Sequence, residues 1–317
     1  MLITDVLGIK YPILQGGMAF VSEAGLAAAV SNAGGAGIIG ACEMSAEWVR
    51  QEIRKAKKLT DKPFGVNIML MSKNIDEVVE VIAEEKVPFA TFGAGNPLPY
   101  IKKLHSAGVK CIPVTANVKQ AQKVAEAGAD AVISEGMESG GHIGTLTTMA
   151  LMTQVINAVN IPVVIAGGIG DGRGIAAALL MGAAGVQIGT RFLAAEECPI
   201  HIEAKKRLVD AVETETVVIG STLKGEAMRG LNCKAAKEYL SYEGDGMTSP
   251  DELKKKARAI DYLAAFHDGR LEDGMLLCGQ SLRAITRIAP AAEIIEELMA
   301  ETKETLAEQP TKILKQL

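Results

Sequence analysis

The chain has no excess of positive charge: Lys and Arg number 33 against 38 Asp and Glu, a net charge of −5 over 317 residues. Nucleic-acid binding needs a basic face to neutralise phosphates, so it is excluded as a general function, although local basic patches remain. There is no CxxC spacing either. The five cysteines, Cys42, Cys111, Cys198, Cys233 and Cys278, are scattered and odd in number, which indicates neither a disulfide framework nor a zinc site and fits free thiols in a reducing cytosol. No resident metal is expected. No apolar run approaches the ~20 residues of a membrane span, and the opening MLITDVLGIKYP lacks a charged region followed by an apolar one. A cytoplasmic protein without a membrane partner is the expectation.

What the chain does have is a hydrophobic content of 48% and a regular alternation of short apolar runs with longer helical stretches, the pattern of βαβ units around a parallel sheet. Strands are expected at Pro12–Gln15, Gly37–Ile39, Phe64–Met69, Phe89–Phe92, Lys110–Val114, Ala131–Ser134, Val163–Ala166 and Val186–Ile188. Helices are expected between them at Glu23–Asn32, Ala46–Lys58, Ile75–Glu84, Pro97–Ala107, Val118–Ala127, Thr148–Val159 and Gly172–Met181. Several end on Gly108, Gly128 or Gly182, a residue able to close a helix in the left-handed conformation. Eight continuously apolar strands with seven intervening helices predict an α/β fold, a (β/α)8 TIM barrel with a small C-terminal appended or lid region. A doubly wound open sheet fits the strand count less well.

The rhythm breaks after Phe192. Residues 198–208 read as helical and Glu215–Gly220 as a short β run. Lys224–Pro250 reads as an irregular polar tract, Pro250–Phe266 as a charged helix, and 275–317 as a return to helical periodicity. The expected division is therefore a barrel over 1–200, an inserted lid or substrate region over 201–280, and C-terminal helices over 281–317 that pack back on the barrel.

Gly35-Ala-Gly37-Ile-Ile-Gly40 matches GxGxxG by letter, but a helix precedes it and its last part is itself a strand. It reads as a helix-to-strand turn and not as a dinucleotide fingerprint. The loops after the seventh and eighth strands carry more weight. Gly167 and Gly168 precede a helix starting near Asp171, and Gly189 and Thr190 follow the last strand. Glycines let backbone N–H groups approach an anion, a helix N-terminus adds a favourable dipole, and barrel enzymes often bind phosphate with these two loops. His142, after Ser139, Gly140 and Gly141, falls on what reads as a flexible loop beyond the sixth strand, where an imidazole suits proton transfer or substrate polarisation. His105, His201 and His267 read as structural. Glu135 and Glu138 lie beside that loop, able to bind a ligand hydroxyl or a cation, or simply solvated. Gly17, Met18 and Ala19 end the first strand and Asn67 lies in the third. Together these place polar groups at the rim of the phosphate loops, as a flavin mononucleotide requires.

GGMA at 16–19, VNIM at 66–69, ESGGHIG at 138–144, AGGIGDGRG at 166–174 and GVQIGTRF at 185–192 resemble the FMN-dependent nitronate monooxygenase and enoyl-acyl-carrier-protein reductase II family, over the whole barrel and into the tail. The likeness is closer to the bacterial enoyl reductases. It implies that Gly17, Met18 and Ala19 meet the isoalloxazine, Asn67 its polar edge or the ribityl chain, and Gly167, Gly168, Gly189 and Thr190 the phosphate. Glu135, Ser139, Gly140 and Gly141 would line the cofactor beside His142. It also implies ping-pong turnover, NADH or NADPH reducing FMN and flavin N5 passing hydride to the β-carbon of a trans-2-enoyl thioester in fatty-acid synthesis, with His142 as proton donor or carbonyl donor. Met275, Leu276 and Leu277 would help form an acyl pocket, and Lys254, Lys255, Lys256 and Arg258 would dock acidic acyl carrier protein or serve only as a solvated helix face. A homodimer, and room for a monovalent or calcium ion in the 200–230 region, follow from the same resemblance. Nitronate oxidation, with His142 as base, is the alternative; a non-catalytic flavin- or phosphate-binding barrel is the third.

Overall fold

In the computed structural model, which describes residues 1–317, eight parallel strands form the frame. They are β1 (Ile13–Gln15), β2 (Ile38–Gly40), β3 (Gly65–Met69), β4 (Phe89–Gly93), β5 (Lys110–Thr115) and β6 (Val132–Glu135). After a two-residue strand outside the barrel, β7 (Gly141–His142), come β8 (Val163–Ala166) and β9 (Gly185–Ile188). The order is β1-β9-β8-β6-β5-β4-β3-β2, and a parallel bridge between Leu14 and Ala36 closes the ring. There Ala36 N–H donates to the Ile13 carbonyl and Gln15 N–H to that of Ala36, each at 2.9 Å. The fold is a (β/α)8 TIM barrel, and each barrel strand lies where the apolar runs predict it.

The helices Ala24–Asn32, Ala46–Leu59, Ile75–Glu84, Leu98–Ser106, Val118–Glu126, Thr148–Ala158 and Gly172–Leu180 surround it. Ser45, Asn117 and Asp171 cap three of them by accepting a backbone N–H. Gly108, Gly128 and Gly182 take φ of 80°, 90° and 98°, the left-handed closure expected of them. At Gly37 an added Cβ would strike the backbone of Ala27, so that glycine serves a tight helix-to-strand approach and no nucleotide.

The barrel interior is a cluster of 12 buried residues that includes Leu14, Ile38, Phe89, Ile112, Ile133 and Val164. Phe89 occupies the space a Cβ on Gly65 would need. A short helix that the sequence reading did not identify, Ile3–Leu7, plugs the N-terminal end, with Ile3 N–H donating to Ala184 O at 2.8 Å. A cluster of 61 buried residues fills the layer between strands and helices and continues under the C-terminal segments.

Beyond the helix Ile202–Asp210, strands β10 (Thr216–Ile219) and β11 (Met228–Leu231) form an antiparallel sheet that takes β7 as its third strand. Three expectations need correction. The tract 224–250 is not irregular: it contains β11, which pairs antiparallel with the nearby β10 and with the distant β7, and the helix Lys234–Gly244. The charged helix breaks into Pro250–Arg258 and Tyr262–His267, because Asp261 caps the second piece by accepting from Ala264 N–H. Helical structure in the tail is confined to a single 3-10 turn at Leu282–Ala284 and the long helix Ala291–Leu314, which packs on helices 172–180 and 24–32. A small core of eight buried residues, among them Ile219, Tyr239, Leu253 and Met275, holds the appended segment together. No helix is long and apolar enough to cross a membrane, and the five cysteines are buried and unpaired.

Candidate active site

The C-terminal ends of the strands open into one cavity enclosing about 1230 Å³ with its mouth. It is lined by Gly17, Met18 and Ala19 after β1, Asn67 on β3, Glu135 at the end of β6, and Ser139, Gly140, Gly141 and His142 beyond it. Gly167 and Gly168 after β8, and Gly189 and Thr190 after β9, complete the wall. All 13 residues expected to bind or react thus face a single space.

The loop after β1 is locked from below. Gln15, fully buried, accepts Ile38 N–H at 3.1 Å and donates to Ser22 Oγ at 2.9 Å and to the Gly16 carbonyl. Ser22 Oγ in turn accepts Met18 N–H at 3.0 Å. Gly17 must lack a Cβ because the Asn67 side chain occupies its place. Asn67 donates from Nδ2 to Thr91 Oγ1 at 2.9 Å, which turns its Oδ1 toward other partners.

Across the cavity, Gly167 and Gly168 take φ of 95° and 71°, and neither N–H donates to another group of the chain. Two such donors side by side form an anion-binding concavity. The helix behind them does not contribute as expected. Its first N–H groups are occupied: Gly172 donates to Glu301 Oε2 at 2.6 Å and Gly174 to Asp171 Oδ1 at 2.8 Å. Glu301 lies on the long C-terminal helix, so the sequence around Gly172 gives no hint of it. Thr190 Oγ1 accepts Gly279 N–H at 2.8 Å and keeps its own proton to donate.

His142 is not on a flexible loop. It pairs with Met228 in the β7–β11 ladder, and Ile143 N–H donates to Ala227 O at 3.0 Å. Its ring makes no hydrogen bond within the chain. Burial pulls its pKa below the ordinary 6.5, against the pull of the Glu226 carboxylate, so at neutral pH the imidazole is uncharged. Glu135 goes the other way: burial pushes its carboxyl up to about 7, partly offset by the Ser139 hydroxyl. Ser139 Oγ has no partner of normal hydrogen-bond geometry, so its effect on Glu135 is that of a close polar neighbour. Glu138 is committed elsewhere. Its carboxylate accepts Thr148 N–H at 2.9 and 3.0 Å and Thr148 Oγ1–H at 2.9 Å, capping helix 148–158.

A family model described as nitronate monooxygenase matches residues 1–78 and 69–301. The chain belongs to the nitronate monooxygenase family. That family comprises flavin-dependent oxidoreductases, and its solved relatives repeat this architecture. A structure titled FabK from Thermotoga maritima is 46% identical, covers 98% of both chains and superposes with a TM-score of 0.94. A probable nitronate monooxygenase of Staphylococcus aureus is 33% identical over 94% of this chain and 96% of its own length. A Rhodococcus jostii protein described as a hydroxy-methyl-oxo-octahydroindene-carboxyl-CoA dehydrogenase is 45% identical over 64% of this chain, and the match spans only 58% of that protein's length.

The cavity of this family member also holds residues the sequence reading missed. Cys278, Gly279 and Ser281 close the side above Gly140, and Phe266 and Gln187 line it elsewhere. Gly140 lacks a Cβ where Cys278 Cα would lie 2.6 Å away, and Gln280 N–H donates to Glu138 O at 2.9 Å. The glycine pairing of Gly140 with Gly279 is the one signal that the two segments cross closely. Of the expected acyl-pocket trio only Leu277 reaches the cavity; Met275 and Leu276 are buried in the two hydrophobic cores. Lys254 lies 3.9 Å from Glu226 and Lys256 sits 3.4 Å over the Tyr242 ring, which leaves Lys255 and Arg258 facing solvent. Of the remaining histidines, His105 bonds Asp130 at 2.8 Å and His201 accepts Glu203 N–H at the start of a helix. No three His, Cys, Asp or Glu side chains gather to hold an ion.

Proposed function

We propose that this chain is an FMN-dependent reductase of trans-2-enoyl thioesters carried on acyl carrier protein, with NADH or NADPH as reductant. The observation that carries the reading is the convergence in one cavity of free backbone donors at Gly167 and Gly168, a glycine-walled slot at Gly17 and Asn67, and the unpaired His142. The shape and the donor set fit FMN: phosphate at Gly167, Gly168, Gly189 and Thr190, and the ring system between Met18, Ala19, Asn67 and the Ser139–Gly141 wall. When bound, FMN would supply the hydride chemistry. The near-full-length similarity to FabK supports this substrate class.

The chain's own residues would bind, orient and handle protons. His142, uncharged at pH 7, would donate an N–H to the thioester carbonyl, a role that strengthens as negative charge builds on that oxygen. Glu135, near half-protonated at pH 7, is a second group able to hold a proton in the cavity. The appended segment would act as a lid, since β11 pairs with the short strand β7 that carries His142 and Leu277 lines the opening. Nitronate oxidation remains the second reading, favoured by the family model and the Staphylococcus relative, because an uncharged imidazole can also abstract a proton.

Anaerobic stopped-flow mixing separates the two. NADH or NADPH should bleach the flavin, and an enoyl thioester such as crotonyl thioester should restore its colour without oxygen. Restoration by oxygen alone, with turnover of nitroalkanes, overturns the reductase reading. His142→Ala should retain FMN and lose roughly 10²–10⁴-fold in turnover; loss of flavin with intact turnover after reconstitution contradicts the role given to the ring.

A further inference from the structure

The loop after β1 is held from above as well as from below. Phe20 has φ of +67°, a conformation that a bulky residue rarely adopts and that persists only where its surroundings enforce it. Its ring leaves the loop and stacks on Tyr262, with centroids 6.5 Å apart and planes 7° from parallel. Its carbonyl accepts a hydrogen bond from His267 Nε2–H at 2.7 Å; since a carbonyl can only accept, Nε2 carries the proton. Tyr262 and His267 stand at the two ends of one six-residue helix of the appended segment, more than 240 residues away in sequence. Phe266, next to His267, is buried and lines the cavity.

The residues on either side of Phe20 are fixed by the barrel. Val21 and Ser22 N–H both donate to Met18 O, at 3.3 and 3.0 Å, and that carbonyl sits where Gly40 would carry a Cβ. The backbone therefore cannot relax at Met18, and the departure from ordinary geometry is concentrated at Phe20, where the helix 262–267 grips it. Met18 and Ala19 are the residues that line the cavity beside it.

We propose that His267 is a positioning residue: with Tyr262 it holds Phe20 in its left-handed conformation and so keeps Met18 and Ala19 in the shape that receives the flavin ring. The appended segment thereby sets the affinity of a site built mainly by the barrel. This rests on the FMN reading above. A loop that samples the competent shape a tenth of the time binds with apparent affinity lowered roughly tenfold.

Titration of FMN into flavin-free protein, followed by the visible spectrum and by fluorescence quenching, tests this with His267→Ala, His267→Gln and Phe20→Gly/His267→Ala. His267→Ala should weaken FMN binding roughly tenfold and alter the flavin absorption bands. His267→Gln, whose amide can donate to the same carbonyl, should restore most of the affinity. Phe20→Gly in the His267→Ala background should also recover it, because glycine adopts positive φ without strain. A His267→Ala protein with a lowered melting temperature but wild-type FMN affinity and spectrum overturns the proposal, as does failure of both rescues. Hydrogen exchange over residues 17–22 separates the two readings. If the wild type takes up no FMN, the functional reading falls, while faster exchange there in His267→Ala still supports the tether and unchanged exchange refutes it.

Discussion

The barrel and the segment appended to it differ in how their residues are held. Around the barrel a continuous cluster of 61 buried residues, which reaches into the appended segment at Leu231, Phe266 and Leu276, packs the strands against the helices, and 12 more fill the interior, so each strand end is fixed by backbone ladders on both sides and by packing on both faces. The appended segment has a core of only eight buried residues. It is anchored by a few side chains that enter the large core, such as Leu231, Phe266 and Leu276, and by individual contacts: Arg229 donating from Nε to Met137 O and from Nη1 to Thr216 Oγ1, each at 3.1 Å, the short β7–β11 ladder, and His267 on Phe20. The barrel supplies rigid positions, the appended segment adjustable ones, and the cavity is built where they meet.

This difference can be broken most forcefully at the two cores. Phe89→Ala removes a fully buried ring from the barrel interior and should cost about 3–5 kcal/mol, with urea unfolding remaining a single transition. Met275→Ala, equally buried but in the small core, should cost about 2–4 kcal/mol and show itself locally. Limited proteolysis should cut between residues 220 and 275 at temperatures where the barrel's circular dichroism is unchanged. One shared transition for both variants would mean that the two regions unfold as a unit.

A smaller effect concerns charge at the boundary. Glu135 ends a barrel strand, and burial raises its carboxyl from 4.5 to about 7. A raised folded-state pKa contributes stability that is complete below the unfolded value and is lost as pH rises through the folded one. Glu135→Gln should therefore gain stability relative to the wild type as pH climbs from 4.5 to 8, by on the order of 3 kcal/mol. Denaturant melts of flavin-free protein across that range measure it, and parallel curves would show that the carboxyl is not desolvated. His142 has the opposite slope, its lowered pKa favouring the folded state as pH rises toward 6.5, so a wild-type profile alone would understate both.

The barrel was legible in the sequence because its causes are local. Apolar runs of strand length, helix periodicity and a left-handed glycine after several of the helices act within about 25 residues, and the glycines at 17, 140, 167 and 168 marked the cavity wall. What the sequence concealed depends on partners far along the chain. Glu301 fills the helix N-terminus at Gly172, β11 draws β7 into its sheet from more than 80 residues upstream (Met228↔His142), and the Cys278–Gly279 segment becomes cavity wall by crossing Gly140. His267 reads as a structural histidine, and its contact is structural, but the carbonyl it grips belongs to the loop that lines the cavity.

The smallest expected effect separates recognition from stability on the appended segment. Lys254 and Lys256 are engaged by Glu226 and Tyr242, so the basic run offers a partner two free cations, Lys255 and Arg258. Exposed charges of this kind contribute little to folding, and Lys255→Glu with Arg258→Glu should change stability by less than about 0.5 kcal/mol. If acidic acyl carrier protein docks here, the same double variant should raise KM several-fold for a carrier-bound enoyl substrate, more strongly at low salt, because rim charges steer association more than they hold the complex. Turnover of a small thioester that lacks the carrier should be unchanged. Equal KM values for wild type and variant on the carrier-bound substrate would reduce the run to a solvated helix face and move the search for the docking surface to the barrel rim.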